Sequence, residues 1–173
     1  MKTILTVVLI LVFAFAGCKS RSTEPAPRIV GNNPDSNTPQ TNAPLPDRAY
    51  KAELSLVGPL TTMKAGQRQT LNVRVRNASD VLWLVYGTRE GPNYRVAVAD
   101  SWLDSAGKLI TNMDGRYGLP ADLRAGREVE VPLVVTAPAK PGKYILQLDM
   151  VQEGVTWFQD KGSPVSKVNV EVQ

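Results

Sequence analysis

From Tyr50 onward, hydrophobic and polar residues alternate with a period of two. Ala52, Leu54 and Leu56 alternate with Lys51, Glu53 and Ser55, and Leu71, Val73 and Val75 alternate with Asn72, Arg74 and Arg76. The same alternation carries Val129, Val131, Leu133 and Val135, then Tyr144, Leu146, Leu148 and Met150, then Val168, Val170 and Val172. Each run sets an apolar face against a polar one, as half-buried antiparallel strands do. Residues 81–86 are more continuously apolar and predict a central strand; residues 94–102 predict another. Gly58-Pro59, Ala65-Gly66, Gly91-Pro92, Ala106-Gly107, Ala125-Gly126, Pro141-Gly142, Glu153-Gly154 and Gly162 mark the turns between runs. Nothing keeps a helical apolar stripe, and residues 119–123 are at most one helical turn. Seven or eight strands over roughly 120 residues is the size of a β-sandwich, so the expected class is all-β.

Upstream the pattern changes twice. Residues 4–16 form an apolar run broken only by Thr6, after a basic start at Lys2. A permanent membrane helix needs about 20 residues, so this run reads as the apolar region of a secretory signal. The string Phe15-Ala16-Gly17-Cys18 resembles a bacterial lipobox, with Phe15 where Leu is usual. That resemblance implies cleavage after residue 17, a diacylglycerol on the Cys18 thiol and anchoring to a membrane. It also implies, from Lys19 rather than Asp after the cysteine, the outer membrane in a host that has two. Residues 20–48 are rich in Pro, Asn, Thr and Ser and poor in apolar side chains. Such a segment buries too little surface to offset the entropy of ordering. It reads as a disordered spacer able to reach roughly 90 Å at full polyproline extension. The expected organisation is therefore 1–17 signal peptide, 18–49 lipidated cysteine and linker, and 50–173 folded domain.

Composition narrows the chemistry. The chain of 173 residues contains no histidine and one cysteine, Cys18. Ser-His and Cys-His nucleophile pairs, Cys/His zinc sites and an internal disulfide are therefore excluded. The formal charge is +4, but Lys and Arg interleave with Asp and Glu instead of forming the basic stripe of a nucleic-acid binder. Asp100, Asp104, Asp149, Glu153 and Asp160 lack the spacing of a calcium loop or a glycosidase pair. Asn77-Ala78-Ser79 fits a glycosylation sequon and equally a turn after the second strand. The expectation is a protein that is not an enzyme and uses no cofactor or metal.

Aromatic residues are the remaining candidates. Trp157, Phe158 and Glu153 could meet a saccharide, because aromatic faces suit the apolar faces of sugar rings. Trp83, Trp102 and Tyr144 read as structural. Trp83 and the Pro141-Gly142-Lys143-Tyr144 string, with its look of a tyrosine corner, resemble an immunoglobulin-like sandwich. The 73–77 run, Trp102 with Asp104 and Gly107, residues 119–123, and above all the string 148–158 also resemble a β-sandwich module. That module is found appended to cell-envelope glycosyltransferases and polysaccharide proteins. The resemblance implies an envelope setting and supplies no active site. The expected function is a membrane-anchored extracytoplasmic binding or interaction module of the bacterial cell envelope, with envelope polysaccharide as one candidate ligand. The alternative is a structural or assembly subunit that docks another envelope protein through an edge strand.

Overall fold

The computed structural model describes residues 43–85 and 94–173. The expected signal sequence, Cys18, most of the expected linker and the expected Gly91-Pro92 turn lie outside the described residues. Nine strands are described: β1 (Ala52–Leu56), β2 (Thr62–Met63), β3 (Arg68–Asn77), β4 (Val96–Asp104), β5 (Leu109–Gly118), β6 (Glu128–Thr136), β7 (Gly142–Gln152), β8 (Thr156–Trp157) and β9 (Ser166–Val172). They form an immunoglobulin-like sandwich of a three-stranded sheet, β1-β3-β6, and a larger sheet, β2-β9-β7-β4-β5, to which β8 adds beside β7. All pairings between the long strands are antiparallel; the two-residue β2 runs parallel to β9.

The alternating pattern sets the register. In the smaller sheet Val73 stands opposite Leu56 and Val131, and the buried residues of β3 and β6 are aliphatic apart from Asn77 at the end of β3. In the larger sheet Trp102 stands opposite Leu146, and Val98 opposite Met150. Between the sheets Val73, Val75, Leu133, Trp102, Leu146 and Leu148 are all buried. Tyr144 closes one end: its hydroxyl donates to the carbonyl of Lys140 at 2.9 Å, and its ring meets Trp102 edge-on. This is the tyrosine corner, four residues long at the start of β7.

Residue 86 lies outside the described residues, and residues 81–85 do not form the expected central strand. Buried Asn77 donates from its amide to the carbonyls of Val81, at 2.7 Å, and Leu123, at 2.9 Å, while its side-chain oxygen accepts from Ser79. This bends the chain directly after β3 and uses the sequon asparagine as a structural plug. Trp83 exchanges two backbone hydrogen bonds with Leu123 as an isolated bridge. Those bonds also prevent the helical turn expected at residues 119–123. Trp83 is nevertheless core, and its indole nitrogen donates to the carbonyl of Ala49 at 2.9 Å.

The packed region also starts before Tyr50, the expected domain boundary. A 3-10 turn at Asp47–Ala49 buries Ala49, and Leu45 packs on the core. Buried Gln152 accepts from the Leu45 backbone at 2.9 Å and from the Tyr50 hydroxyl at 2.6 Å. Its amide donates to the carbonyls of Tyr94 and Ala43. One side chain thus fixes the end of the linker to the end of β7.

β5 has no clean alternation and gave no strand signal. Against β4 it carries two irregularities: Ile110 is an extra residue opposite the Trp102–Leu103 step, and residues 113–115 are looped out between the Asn112 and Arg116 pairings. The second irregularity brings Gly115 against β6. A Cβ on Gly115 would sit 1.9 Å from the Val134 carbonyl oxygen, so only glycine allows this backbone approach. Gly115→Ala is expected to lower stability by about 3 kcal/mol, the high end of overpacking costs, in a urea titration. A loss below about 0.5 kcal/mol would contradict the close approach.

Candidate functional site

Two surfaces compete for the role of binding site, and each is built by the larger sheet. The first lies on its outer face beside the β7–β8 hairpin. The tight turn after Gln152, with Gly154 in the left-handed region at φ 73°, pairs Val151 with Trp157. Trp157 is half-buried and packs over Val151 and the small side chains Ala97 and Ala99. Glu153 is buried; it pairs with Arg116, and more distantly with Arg95 at 4.0 Å. The Arg95 side chain lies across Gly118, where a Cβ would meet it at 2.9 Å.

This arrangement changes the expected roles. Phe158 is not a ligand contact: it is fully buried, with its ring edge-on to Tyr50 at 5.0 Å and to Trp83 at 5.2 Å. The reason is local. Past the two-residue β8 the chain turns into the Gln159–Lys161 3-10 turn, which sends adjacent side chains to opposite sides of the sheet. Glu153 spends its charge on two arginines. Of the three proposed contacts, Trp157 alone offers part of its surface to solvent. Trp83 and Trp102 are at 0% exposure, and Tyr144 closes the sandwich end.

The second surface is β5. It is the terminal strand of the larger sheet. Among the described residues the exposed large hydrophobic side chains are Val57, Leu109, Ile110 and Tyr117, so three of the four stand on this one strand. Leu109 and Ile110 are 51% and 50% exposed, and residues 108–112 are all exposed. The C-terminal half of β5 is occupied, because Gly115 meets Val134 and the Asp114 Oδ2 accepts from the Thr136 N–H. The half from 109 to 112 is a sheet edge with apolar side chains. The extra residue at Ile110 is what turns that side chain outward, a recognised effect of bulges. Residue spacing carried no signal of this surface, since an irregular strand does not alternate.

A shallow cleft of about 380 Å³ lies at the other end of the larger sheet, lined by Lys143, Ile145, Asn169 and Glu171 among others. It holds no buried polar group. Among the described residues no set of three or more Cys, Asp or Glu side chains is arranged to hold a metal.

The two carboxylates that sit deepest are structural. Asp100 faces the core and accepts from the Gly115 N–H, which the looped-out residues of β5 bring to it. Burial raises its pKa to about 6 against the pull of that hydrogen bond, with Asp114 adding to the rise. Asp149, on the outer face of β7, accepts from the backbone of Met150 and Gln159 and so holds the segment that follows Trp157. Burial raises it too, to about 6, against those backbone hydrogen bonds, with Asp160 contributing.

No family model matches the chain, and no curated protein matches it. Among solved structures it is similar to the CARDB domain of a Pyrococcus furiosus protein in solution. Identity there is 14% and the TM-score 0.42, over 70% of this chain and 94% of that one. The same domain crystallised in complex with di-metal ions gives 13% identity and a TM-score of 0.42, over 71% and 86%. A β-glucosidase from Listeria innocua in complex with glucose gives 16% identity and a TM-score of 0.40. It matches 69% of this chain, which spans 16% of the enzyme.

The raised carboxyls fix the sign of a pH effect. A carboxyl with a higher pKa folded than unfolded favours the folded state fully when it is protonated in both. That contribution fades as pH rises through the folded value. Asp100 and Asp149 therefore contribute most below about pH 4 and little above about pH 7, about 2 to 3 kcal/mol each across that range. Asp100→Asn and Asp149→Asn are expected to raise the melting temperature at pH 7.5 and to leave it nearly unchanged at pH 3.5. Variant and parent curves that run parallel across this range would contradict the assignment.

Proposed function

We propose that the chain is a membrane-anchored interaction module of the bacterial cell envelope that docks a partner protein through the edge of β5. The observation that carries this reading is the concentration of exposed Leu109, Ile110 and Tyr117 on one terminal strand. Natural sheet edges are normally blunted by charge, proline or brevity. Here residues 109–113 are uncharged and lack proline. Strand addition to such an edge gains backbone hydrogen bonds, with affinity refined by alternate side chains.

The anchor in this proposal is the Cys18 lipid, and the spacer is the Pro-rich segment that follows it. The ordered domain takes hold of the chain at Ala43 through Gln152. Residues 43–45 therefore meet the sandwich at the end of β7. We propose no catalytic activity: there is no histidine, and the buried carboxyls are engaged in holding strands.

A second reading keeps the envelope polysaccharide as ligand, supported by half-exposed Trp157 beside the Arg116–Glu153 pair. The two separate by position. A photo-crosslinking residue placed at Ile110 is expected to capture a protein in intact envelopes, and one placed at Trp157 is not. Ile110→Lys should lose that partner while melting within a few degrees of the parent, because the side chain is already half-exposed. Saturable glycan binding that Trp157→Ala abolishes and Ile110→Lys preserves would favour the second reading. The anchor is tested apart from either: Cys18→Ala should abolish acyl labelling and membrane retention, and persistent labelling would contradict it.

A further inference from the structure

We infer that Asp100 and Trp102 hold one buried water between the two sheets, which donates to Asp100 Oδ2 and accepts from Trp102 Nε1. Both side chains belong to the inward phase of β4: Val98, Asp100 and Trp102 stand on alternate positions, and Val98 and Trp102 pack in the core. Asp100 is 1% exposed and Trp102 is fully buried. Asp100 spends Oδ1 on the Gly115 N–H. Its Oδ2 and the Trp102 indole nitrogen are both buried with no hydrogen-bond partner among the described residues. Trp83 shows the contrast, since its equally buried indole nitrogen donates to the Ala49 carbonyl. Buried polar groups are nearly always paired, because leaving one unmet costs its full desolvation.

The chemistry of the two atoms selects the occupant. One is a carboxyl oxygen that accepts, and the other is an indole N–H that can only donate. A metal ion would satisfy the carboxylate but offers no lone pair to the indole, and an anion would do the reverse. A water offers both, and buried waters typically bridge polar groups that the protein itself leaves unmet. The spacing fits as well. Residues two apart on a strand are separated by about 6.6 Å along it, with their side chains on one face. Two hydrogen bonds through a single water reach across about 5.5 to 6 Å. The water gives Asp100 a second partner while Oδ1 keeps hold of the looped-out residues of β5. The other two buried atoms without a hydrogen bond, Arg95 Nε and Glu153 Oε1, make no such demand, because they lie on an ion pair and compensate each other's charge.

The test is cross-relaxation between water and the indole N–H groups in the NMR spectrum of the whole chain in detergent micelles. The three tryptophans give three such signals, and Trp102→Phe identifies the one from Trp102. That signal should show NOE and ROE cross-peaks to water of opposite sign, the mark of a long-held molecule, and the Trp83 signal should show none. Asp100→Asn, which keeps an oxygen acceptor, should retain the Trp102 peaks, and Asp100→Leu should abolish them. No water peak at Trp102, or peaks of equal strength at Trp102 and Trp83, would overturn the site. Peaks that persist unchanged in a folded Asp100→Leu chain would overturn it too, because they would then arise from an exchanging hydroxyl. If Asp100→Leu does not fold, a crystal structure of the parent decides. Density for a water about 2.7 to 3.2 Å from both Asp100 Oδ2 and Trp102 Nε1 supports the site, and a dry contact there overturns it.

Discussion

The contact between β5 and β6 at Gly115 decides how this sandwich ends and what it leaves open. Gly115 lies so close to the Val134 carbonyl that no side chain fits between them. Its N–H is held from beneath by Asp100, a carboxylate on the inner face of β4. Placing a carboxyl there is costly, and the raised pKa records that cost. The hydrogen bond to Gly115 offsets part of it, and the loop-out of residues 113–115 is what aims the N–H at the acid. One buried acid therefore shapes the larger sheet's terminal strand. The end near Gly115 is drawn onto β6, and the end at 109–112 is left free.

The end of the larger sheet away from residues 109–112 is governed by Gln152 and the aromatic group around Phe158. Gln152 satisfies four backbone and hydroxyl groups at once, joining residues 43–45, Tyr50 and Tyr94, two residues before β4. Tyr50, Phe158 and Trp83 then pack edge to face beneath it. Polar networks in low dielectric are stabilising when fully satisfied, and this one is what attaches the linker's last residues to the core. The same packing removes Phe158 from any surface role and leaves Trp157 to cover Ala97 and Ala99. The hairpin end is thus closed structure, while the β5 edge is open structure.

Much of the fold was legible in the sequence because the core strands obey one rule. β1, β3 and β9 alternate strictly, and β6 and β7 alternate except at Val134, Ile145 and Val151, so the inward face of each could be read. Trp102 was readable for the same reason, and Trp83 and Tyr144 through the resemblance to an immunoglobulin-like sandwich. What was not legible depended on backbone detail. β5 carries two irregularities, so its side chains lose phase and no periodic signal survives. Residues 81–85 are apolar because Trp83 plugs the core, and Asn77 diverts them from the sheet through bonds that no local pattern announces. Phe158 and Trp157 are neighbours with opposite fates, decided by where a two-residue strand ends. The linker boundary at Tyr50 reflected composition, whereas the packing reaches back to Leu45 through a partner more than a hundred residues away.

The central claim is that residues 109–112 of β5 form the surface at which this module meets its partner. Amide deuterium exchange would test it most directly, comparing the isolated domain with the full chain in envelope membranes. The account predicts fast exchange at 109–112 in the dilute isolated domain and marked slowing there in membranes, with the β7–β8 hairpin unchanged. Slowing confined to the hairpin around Trp157, with β5 exchanging equally fast in both samples, would contradict it.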